Sequence, residues 1–430
     1  MKRKDSKSKQ VAANTRFINP FRPGAGHMPP YLAGRDAELH DFRTFLAQNP
    51  ILKNVILTGL RGVGKTVLLE TLRPIALEEG WAWVGTDLSE SASVAEDKMA
   101  IRILTDVSVF TASLTISTKA RPIAGFTQET RATDEPLNHH ALQRLFSEAP
   151  GLISDKLKYV LELVWKAMRD HDTGRKGIVF AYDEAQNLAD HAEKEQFPLS
   201  LLLDVFQSLQ RKGARFLLVL TGLPTLFSTL VHARTYSERM FHVIFLSHLS
   251  SRASRDAIAI PIERSNCPFS LTDQSTELII DITGGYPYFI QFVCRELYDI
   301  WLQGDSKRSI PINEVLAKLD ADFFAGRWAK ATDRQRDMLR VVAQLPNCET
   351  EFTVQEIVAR SRELLKKSFS SSHVAQLLSF LQESGLVYRN RHGKYAFAVP
   401  LLGQFITRQS EQELEQIDEF DELDSRNDRG

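Results

Sequence analysis

Residues 54–70 read NVILTGLRGVGKTVLLE, and this stretch is the strongest indication of the fold. Within it, Gly59 to Thr66 match the phosphate-loop pattern G-x-x-x-x-G-K-[ST] in full. The apolar run at 55–57 is typical of a buried strand, and the residues at 67–69 open a helical pattern directly after the loop. A glycine-rich loop between a strand and a helix binds phosphate through backbone N–H groups and the positive end of the helix. The sequence therefore predicts a nucleoside triphosphate site.

The residue types in the loop each have a chemical reason. Glycine lets the backbone turn so that successive N–H groups face phosphate oxygens. Lys65 can reach the β- and γ-phosphates, and Thr66 can place its hydroxyl on Mg²⁺. The residues expected to hold the phosphates are Gly59, Arg61, Gly62, Val63, Gly64, Lys65, Thr66 and Val67.

A second motif, GIVFAYDE at 177–184, is an apolar strand that ends in two carboxylates. Buried acidic groups are costly unless they are paired or face a cation. The end of such a strand lies at the sheet edge where α/β proteins bind ligands. We therefore expect Asp183 to hold Mg²⁺ and Glu184 to polarise the attacking water, which predicts hydrolysis.

Composition describes an ordinary globular chain with unusual ends. The 430 residues are 43% hydrophobic and 25% charged, which predicts two or three domains. A net charge of −1 gives no overall argument for a polyanionic partner. Residues 1–10 carry five basic groups and one acid, and residues 411–430 carry nine acids and two basic groups. Both ends are typical of solvated tails.

Cysteine usage and hydropathy favour the cytoplasm. Cys267, Cys294 and Cys348 are few, odd in number and without metal-site spacing, which suits a reducing compartment. No apolar run approaches the length of a membrane span, and the basic N-terminus lacks the apolar core of a secretory signal. We expect a cytoplasmic protein with no membrane partner.

Apolar runs alternate with helical patterns, which predicts an α/β fold with a parallel sheet between helices. The stretch 111–140 has no clear period and is expected to be a long loop or a small insertion, and Pro74 is expected to kink or shorten the helix after the phosphate loop. Helical patterns before a hairpin at 385–399 are typical of a winged helix. The predicted divisions are a basic, Pro/Gly-rich arm at 1–30, a nucleotide-binding core at 31–250, a helical lid at 251–328, a winged helix at 329–408 and an acidic tail at 409–430.

Taken together, these motifs resemble those of the AAA+ class of P-loop ATPases. The chain is most similar to the branch shared by Orc/Cdc6-like initiators, TniB- and TnsC-like transposition ATPases and STAND ATPases. The resemblance runs from about Tyr31 to Leu401. It implies a P-loop core with a helical lid and a winged helix, ATP and Mg²⁺ as cofactors, ATP hydrolysis, and assembly into a homo-oligomer.

The resemblance also assigns individual residues. In these proteins an apolar residue followed by a Gly-Arg-acid motif wraps the adenine, and the matching residues here are Leu32, Gly34, Arg35 and Asp36. Thr221 matches the polar residue that senses the γ-phosphate, and Arg239 matches the arginine finger that reaches a neighbour's nucleotide. Arg234 and Arg252 are the alternatives for the finger.

The lid motif departs from the initiator pattern. Residues 284–287 read GGYP, and no arginine occupies the place of the initiators' lid arginine. This form resembles STAND and archaeal ATPases, in which the proline, here Pro287, packs against the nucleotide. That departure favours a slow switch over a fast motor.

The partner is left open between DNA and protein. Residues 330–410 carry twelve Lys/Arg and seven Asp/Glu, and the hairpin tip offers Arg389, Arg391 and Lys394 to phosphate. The candidate recognition helix at 371–383 has no Arg or Lys, which argues for protein packing. Further basic residues, at 98, 102, 119, 121 and 131, could line a DNA-binding loop. The first hypothesis is an oligomeric ATPase that engages DNA or a partner in a mobile element or in anti-phage defence; the second is a STAND-like switch that hydrolyses slowly and acts on an effector protein.

Overall fold

The computed structural model describes residues 17–118, 133–171, 173–303 and 311–411. The chain forms two compact units. The sheet unit comprises Arg35–Ser247, and the helical unit combines the described residues before Arg35 with those from His248 onward.

Strands and helices alternate through the sheet unit. Its strands are β1 (Asn54–Gly59), β2 (Ala82–Val84), β3 (Thr115–Thr118), β4 (Thr133–Pro136), β5 (Ile178–Tyr182), β6 (Phe216–Gly222) and β7 (Phe241–Leu246). Its helices are α1 (Asp36–Leu46), α2 (Lys65–Glu78), α3 (Glu90–Ser93), α4 (Glu96–Thr111), α5 (His139–Glu148), α6 (Ile153–Asp170), α7 (Pro198–Arg211), α8 (Leu226–Ala233) and α9 (Ser237–Met240), with 3₁₀ turns at Ala185–Asn187 and Ala192–Lys194.

Five of these strands form a parallel sheet in the order β2-β5-β6-β1-β7. All residues of β1, β5 and β6 are buried, as expected for central strands covered by helices on both faces. This confirms the predicted α/β core. Because β5, β6 and β1 are neighbours and parallel, the residues that follow them meet at one edge of the sheet.

The stretch 111–140, predicted as a long loop or a small insertion, contains a small antiparallel pair, β3–β4. Helix α5 begins near the end of this stretch at His139, and residues 119–132 lie outside the described part of the chain. A local signal for α5 was present, because Asn138 is its N-cap and accepts a hydrogen bond from the Ala141 N–H. Helix α2 also runs through Pro74 to Glu78 without ending early. Its buried apolar face continues past the proline at Ile75 and Ala76, so packing outweighs the lost backbone hydrogen bond.

The helical unit contains the predicted lid and C-terminal elements. They are α10 (Ser251–Arg264), α11 (Asp273–Thr283), α12 (Pro287–Leu302), α13 (Ile312–Leu319), a π turn (Asp320–Ala325), α14 (Gly326–Trp328), α15 (Asp333–Ala343), α16 (Val354–Leu364), α17 (Ser371–Glu383), β8 (Val387–Arg391) and β9 (Lys394–Phe397), after which 402–411 is helical. Helices α15 to α17 followed by the β8–β9 hairpin have the expected order, and their assignment as a winged helix stays a prediction.

Part of the segment predicted as an arm packs against this unit. Phe21 is fully buried, and its carbonyl accepts a hydrogen bond from Arg295 on α12 at 3.1 Å. Asn19 donates to Asp299 of the same helix at 2.8 Å. Residues 17–34 are therefore part of the helical unit. None of the described helices is long and apolar enough to cross a membrane.

Candidate nucleotide-binding site

The phosphate loop joins the end of β1 to the start of α2. Gly62 and Gly64 have φ values of +80° and +89°, a backbone region that favours glycine. Gly64 is the N-cap of α2 and provides no side-chain cap, so the first N–H groups of the helix stay available to an anion. The loop has the form that the sequence predicted.

Lys65 lies folded over this loop. Its Nζ donates to the carbonyls of Gly59 at 3.0 Å and Leu60 at 2.9 Å. Burial lowers the pKa of Lys65 to about 8, although the nearby Asp183 and Glu184 carboxylates act to raise it. A phosphate group beside Lys65 would favour its charged form in the same way as these carboxylates.

Thr66 and Asp183 meet at the edge of the sheet. The Thr66 hydroxyl donates to Asp183 Oδ2 at 2.5 Å, and the Glu184 N–H donates to Asp183 Oδ1 at 2.8 Å. Asp183 is only 3% exposed, and burial raises its pKa while the hydrogen bond from Thr66 lowers it. A hydroxyl and a buried carboxylate are hard oxygen ligands that fit Mg²⁺. The described residues include no cluster of three or more His, Cys, Asp or Glu suited to a metal, so phosphate and water would complete the shell.

A third carboxylate near this point was missed in the sequence. Asp87 follows β2 and forms an isolated parallel bridge with Asp183. Its charge also contributes to the raised pKa of Asp183. The available signal was a polar residue after a strand, but the pairing of β2 with β5 was needed to place it.

Glu184 and Thr221 lie at the ends of neighbouring strands. Glu184 follows β5 with φ of +52°, and its exposed carboxylate accepts a hydrogen bond from Gln186 Nε2. Thr221 lies near the end of β6, fully buried, and its hydroxyl has no hydrogen-bond partner within the described parts of the chain. An unpaired buried hydroxyl costs about 1–3 kcal/mol. A donor or acceptor on a ligand would offset that cost.

Arg35 lies beside the phosphate loop. Its Nη2 donates to the carbonyls of Val63 at 3.1 Å and Ser247 at 2.9 Å, and its Nη1 pairs with Glu38 at 3.3 Å. The side chain is buried, which lowers its pKa. These contacts show Arg35 bracing the loop, while its expected contact with adenine stays a prediction. Leu32 and Pro287 belong to the helical unit, and their contacts with nucleotide stay predictions too.

Arg239 lies at the opposite end of the sheet from the loop. It precedes β7, whose first residue pairs with Asn54 and whose last residue pairs with Gly59. At about 3.3 Å per residue, these two ends are roughly 17 Å apart, which is beyond the reach of an arginine side chain. Arg239 is exposed, and its guanidinium makes no hydrogen bond or ion pair among the residues described here, whereas its backbone N–H donates to the Tyr236 carbonyl at 3.0 Å. It therefore cannot serve the nucleotide of its own subunit.

The alternative Arg234 is held in place. Its guanidinium pairs bidentately with Asp204 at 3.1 and 3.0 Å, and Tyr236 donates to the same carboxylate. An arginine held in this way is not free to extend toward a neighbour. Arg252 is exposed at the start of α10 in the helical unit.

Replacement of Lys65 by Ala should remove ATP binding. The substitution deletes the ammonium that lies over the phosphate loop and is expected to reach the β- and γ-phosphates. Hydrogen bonds to charged groups contribute about 1.5–3 kcal/mol each, so the loss of one such bond to each phosphate should lower affinity by at least roughly 10²-fold. Equilibrium titration with a fluorescent ATP analogue measures this, with Lys53→Ala at the other end of β1 as the control. Equal affinity of Lys65→Ala and wild type would refute the assignment.

Two family models match separate parts of the chain. Residues 31–231 match the family model of the AAA ATPase domain, and residues 321–406 match a model described as a domain of unknown function (DUF8462). No curated protein sequence matches the chain significantly.

Two solved structures share the fold at low identity. A Walker-type ATPase of Pyrococcus abyssi is 15% identical, with 87% of this chain and 96% of that one covered and a TM-score of 0.53. The ORC2 protein of Aeropyrum pernix in its ADP form is 14% identical, with 90% and 97% covered and a TM-score of 0.50. The match to the AAA ATPase domain, the parallel sheet and the phosphate loop all agree, so the chain contains an AAA+ P-loop ATPase domain.

Proposed function

We propose that this protein binds Mg²⁺–ATP, hydrolyses it in a homo-oligomer, and couples that cycle to engagement of DNA or of a protein partner. One observation carries the proposal: the phosphate loop, the Thr66–Asp183 pair, Glu184 and Thr221 all lie at the carboxyl ends of three adjacent parallel strands. These groups supply what phosphoryl transfer needs, namely phosphate positioning, a metal ligand, a base and a polar sensor.

Each residue has a role that follows from its position. Lys65 and the N–H groups of the loop bind and orient the phosphates. Thr66 and Asp183 would hold Mg²⁺, which neutralises charge on the phosphates. Glu184 orients a water molecule and accepts its proton as the oxygen attacks the γ-phosphorus, while the bond from that phosphorus to the β–γ bridging oxygen breaks and ADP leaves. The Thr221 hydroxyl donates to the transferred phosphoryl group, which favours the transition state because charge builds up there.

Assembly is supported by Arg239. An exposed arginine at the sheet edge opposite the phosphate loop can complete a site only in another subunit. The expected rate of ATP hydrolysis per subunit therefore rises with protein concentration. A rate independent of concentration would contradict an arginine supplied in trans. The same titration with and without duplex DNA tests whether DNA drives the assembly.

Contact with DNA is supported by the tip of the β8–β9 hairpin. Arg389 and Arg391 are exposed, but they are not free: Arg391 pairs with Glu351 at 2.7 Å, and Arg389 contacts His392 at 2.9 Å. Elsewhere, Lys98 on α4 is exposed, whereas Arg102 pairs with Asp106 on the same helix. The other basic positions of that expected loop, at 119, 121 and 131, lie outside the described residues.

A specific feature favours the protein-binding alternative. Phe380 on α17 is 48% exposed, on the helix that would read DNA bases. The same helix has no Arg or Lys. An exposed aromatic side chain on a helix without basic residues is typical of protein recognition.

Replacement of Arg389, Arg391 and Lys394 by Ala separates the two alternatives. If the hairpin contacts the DNA backbone, the slope of log affinity against log salt should become shallower by about 2, since each phosphate contact contributes about 0.9 and Arg391 must first leave Glu351. The measurement is a salt titration of duplex binding with ATP present. Glu351→Ala should tighten binding because it frees Arg391. No binding by the wild type at low salt would favour the protein switch.

A further inference from the structure

Gln186 connects the catalytic glutamate to the neighbouring strand. It lies in the 3₁₀ turn Ala185–Asn187 that follows β5. Its Nε2 donates to Glu184 Oε2, and its Oε1 accepts from the Leu223 N–H at 3.1 Å. Leu223 is the first residue after β6, the strand that contains Thr221. One amide side chain thus bridges the ends of β5 and β6.

The orientation of this amide is fixed by its surroundings. The Leu223 N–H needs an acceptor, so the amide oxygen faces it and the NH₂ group must face the carboxylate. A rotated amide would place donor against donor at Leu223. The backbone also approaches closely, because a Cβ on Gly222 would lie 2.6 Å from Gln186 Oε1. A side chain at position 222 would therefore force the Gln186 amide to move from this place.

Glu184 needs such a restraint. Its side chain is exposed, and exposed glutamate loses substantial rotamer entropy when it is ordered. The neighbouring Asp183 is instead buried and fixed by Thr66 and by a backbone N–H. Within the described residues, Gln186 makes the one side-chain hydrogen bond that orients the Glu184 carboxylate.

We propose that Gln186 is a positioning residue that holds the Glu184 carboxylate at a fixed place relative to Thr221 at the end of β6. This inference rests on the proposed hydrolysis of ATP by Glu184. A movement at the end of β6 is then passed to the catalytic carboxylate through one hydrogen-bonded amide. Gln186 therefore couples Thr221, the proposed γ-phosphate sensor, to Glu184, the proposed base.

The first experiment measures ATP turnover in Gln186→Ala. Misplacement of a catalytic group by about 1 Å costs roughly 10²-fold in rate, so we expect kcat to fall about 10- to 100-fold while KM for ATP stays within about twofold. Gln186→Glu should be at least as impaired, because its carboxylate accepts from Leu223 but repels Glu184. Asn187→Ala is the matched control, since this amide in the same turn donates to the Leu88 carbonyl at 2.8 Å and does not contact Glu184.

Two outcomes would overturn the proposal. One is a wild-type kcat in Gln186→Ala. The other is an equal loss of kcat in Asn187→Ala, which would show that only the integrity of the turn matters. Failure of the proposed function looks different, because the wild type itself would then bind ATP without turnover.

A second measurement does not depend on activity. Gln186→Glu places two carboxylates face to face, and adding Glu184→Gln restores one donor and one acceptor. Each single variant shifts the unfolding temperature. The double variant should unfold at a higher temperature than the sum of those two shifts predicts. Additive shifts would show that the side chains do not interact, and would overturn the proposal even if the wild type is inactive.

Discussion

Replacement of Glu184 by Gln should leave Mg²⁺–ATP bound but slow its hydrolysis by about 10²–10⁴-fold, the usual contribution of a general base. The amide cannot accept a proton from water, whereas the Thr66–Asp183 pair that would hold the metal is unchanged. On the proposed assembly, the variant should accumulate as an ATP-bound oligomer. Single-turnover hydrolysis measures the rate, and light scattering with ATP measures the size.

The matched control is Glu195→Gln. Glu195 is also exposed and also has a positive φ, of +53°, so the substitution is equally conservative for the backbone. It should hydrolyse ATP at the wild-type rate. Wild-type turnover in Glu184→Gln would refute the assignment of the base.

Replacement of Arg239 by Ala should have the largest effect on rate, because an arginine finger supplied in trans contributes about 10³–10⁵-fold. Its place before β7, at the end of the sheet opposite the phosphate loop, keeps it out of reach of its own subunit's nucleotide, and we propose that it acts on another subunit. ATP binding should be retained, since no contact with the subunit's own phosphate loop is lost. Steady-state hydrolysis at high protein concentration measures the loss.

Mixing two inactive variants tests the direction of this contact. Arg239→Ala and Glu184→Gln proteins together should recover hydrolysis at interfaces where an intact Glu184 meets an intact Arg239. We expect neither variant to recover ATP hydrolysis on its own. No recovery on mixing, with assembly of both proteins verified, would contradict action in trans.

Two further arginines serve as controls. Arg211 is exposed and lines the same cavity of about 340 Å³ as Arg239, so Arg211→Ala removes an equal charge from the same edge of the sheet. It should keep most of the activity. Arg234→Ala breaks the ion pair with Asp204, and its main effect should be on stability. A loss of rate confined to either of these variants would move the finger away from Arg239.

The sequence by itself determined the core fold and its phosphate loop. These features are local: the fixed spacing of Gly59 to Thr66 and the apolar strand before Asp183 specify their own backbone and its burial. Strand–helix alternation then predicted the parallel sheet, because parallel strands need helical crossovers and have few alternative arrangements. The order of helices α15 to α17 and the hairpin after them was also visible in hydrophobic periodicity. Helix α5 and the pair β3–β4 were missed because these elements are too short to show a clear hydrophobic period.

Only the tertiary structure decided which side chains act together. Asp87 reaches Asp183 through the pairing of β2 with β5, and Gln186 reaches Leu223 through the adjacency of β5 and β6. Likewise, the pairing of Arg391 with Glu351 joins residues 40 positions apart. Local patterns fix the backbone of each segment, but the contacts between segments depend on strand order and helix packing. For that reason the phosphate loop could be predicted from the sequence, and the hydrogen bonds that orient its catalytic partner could not.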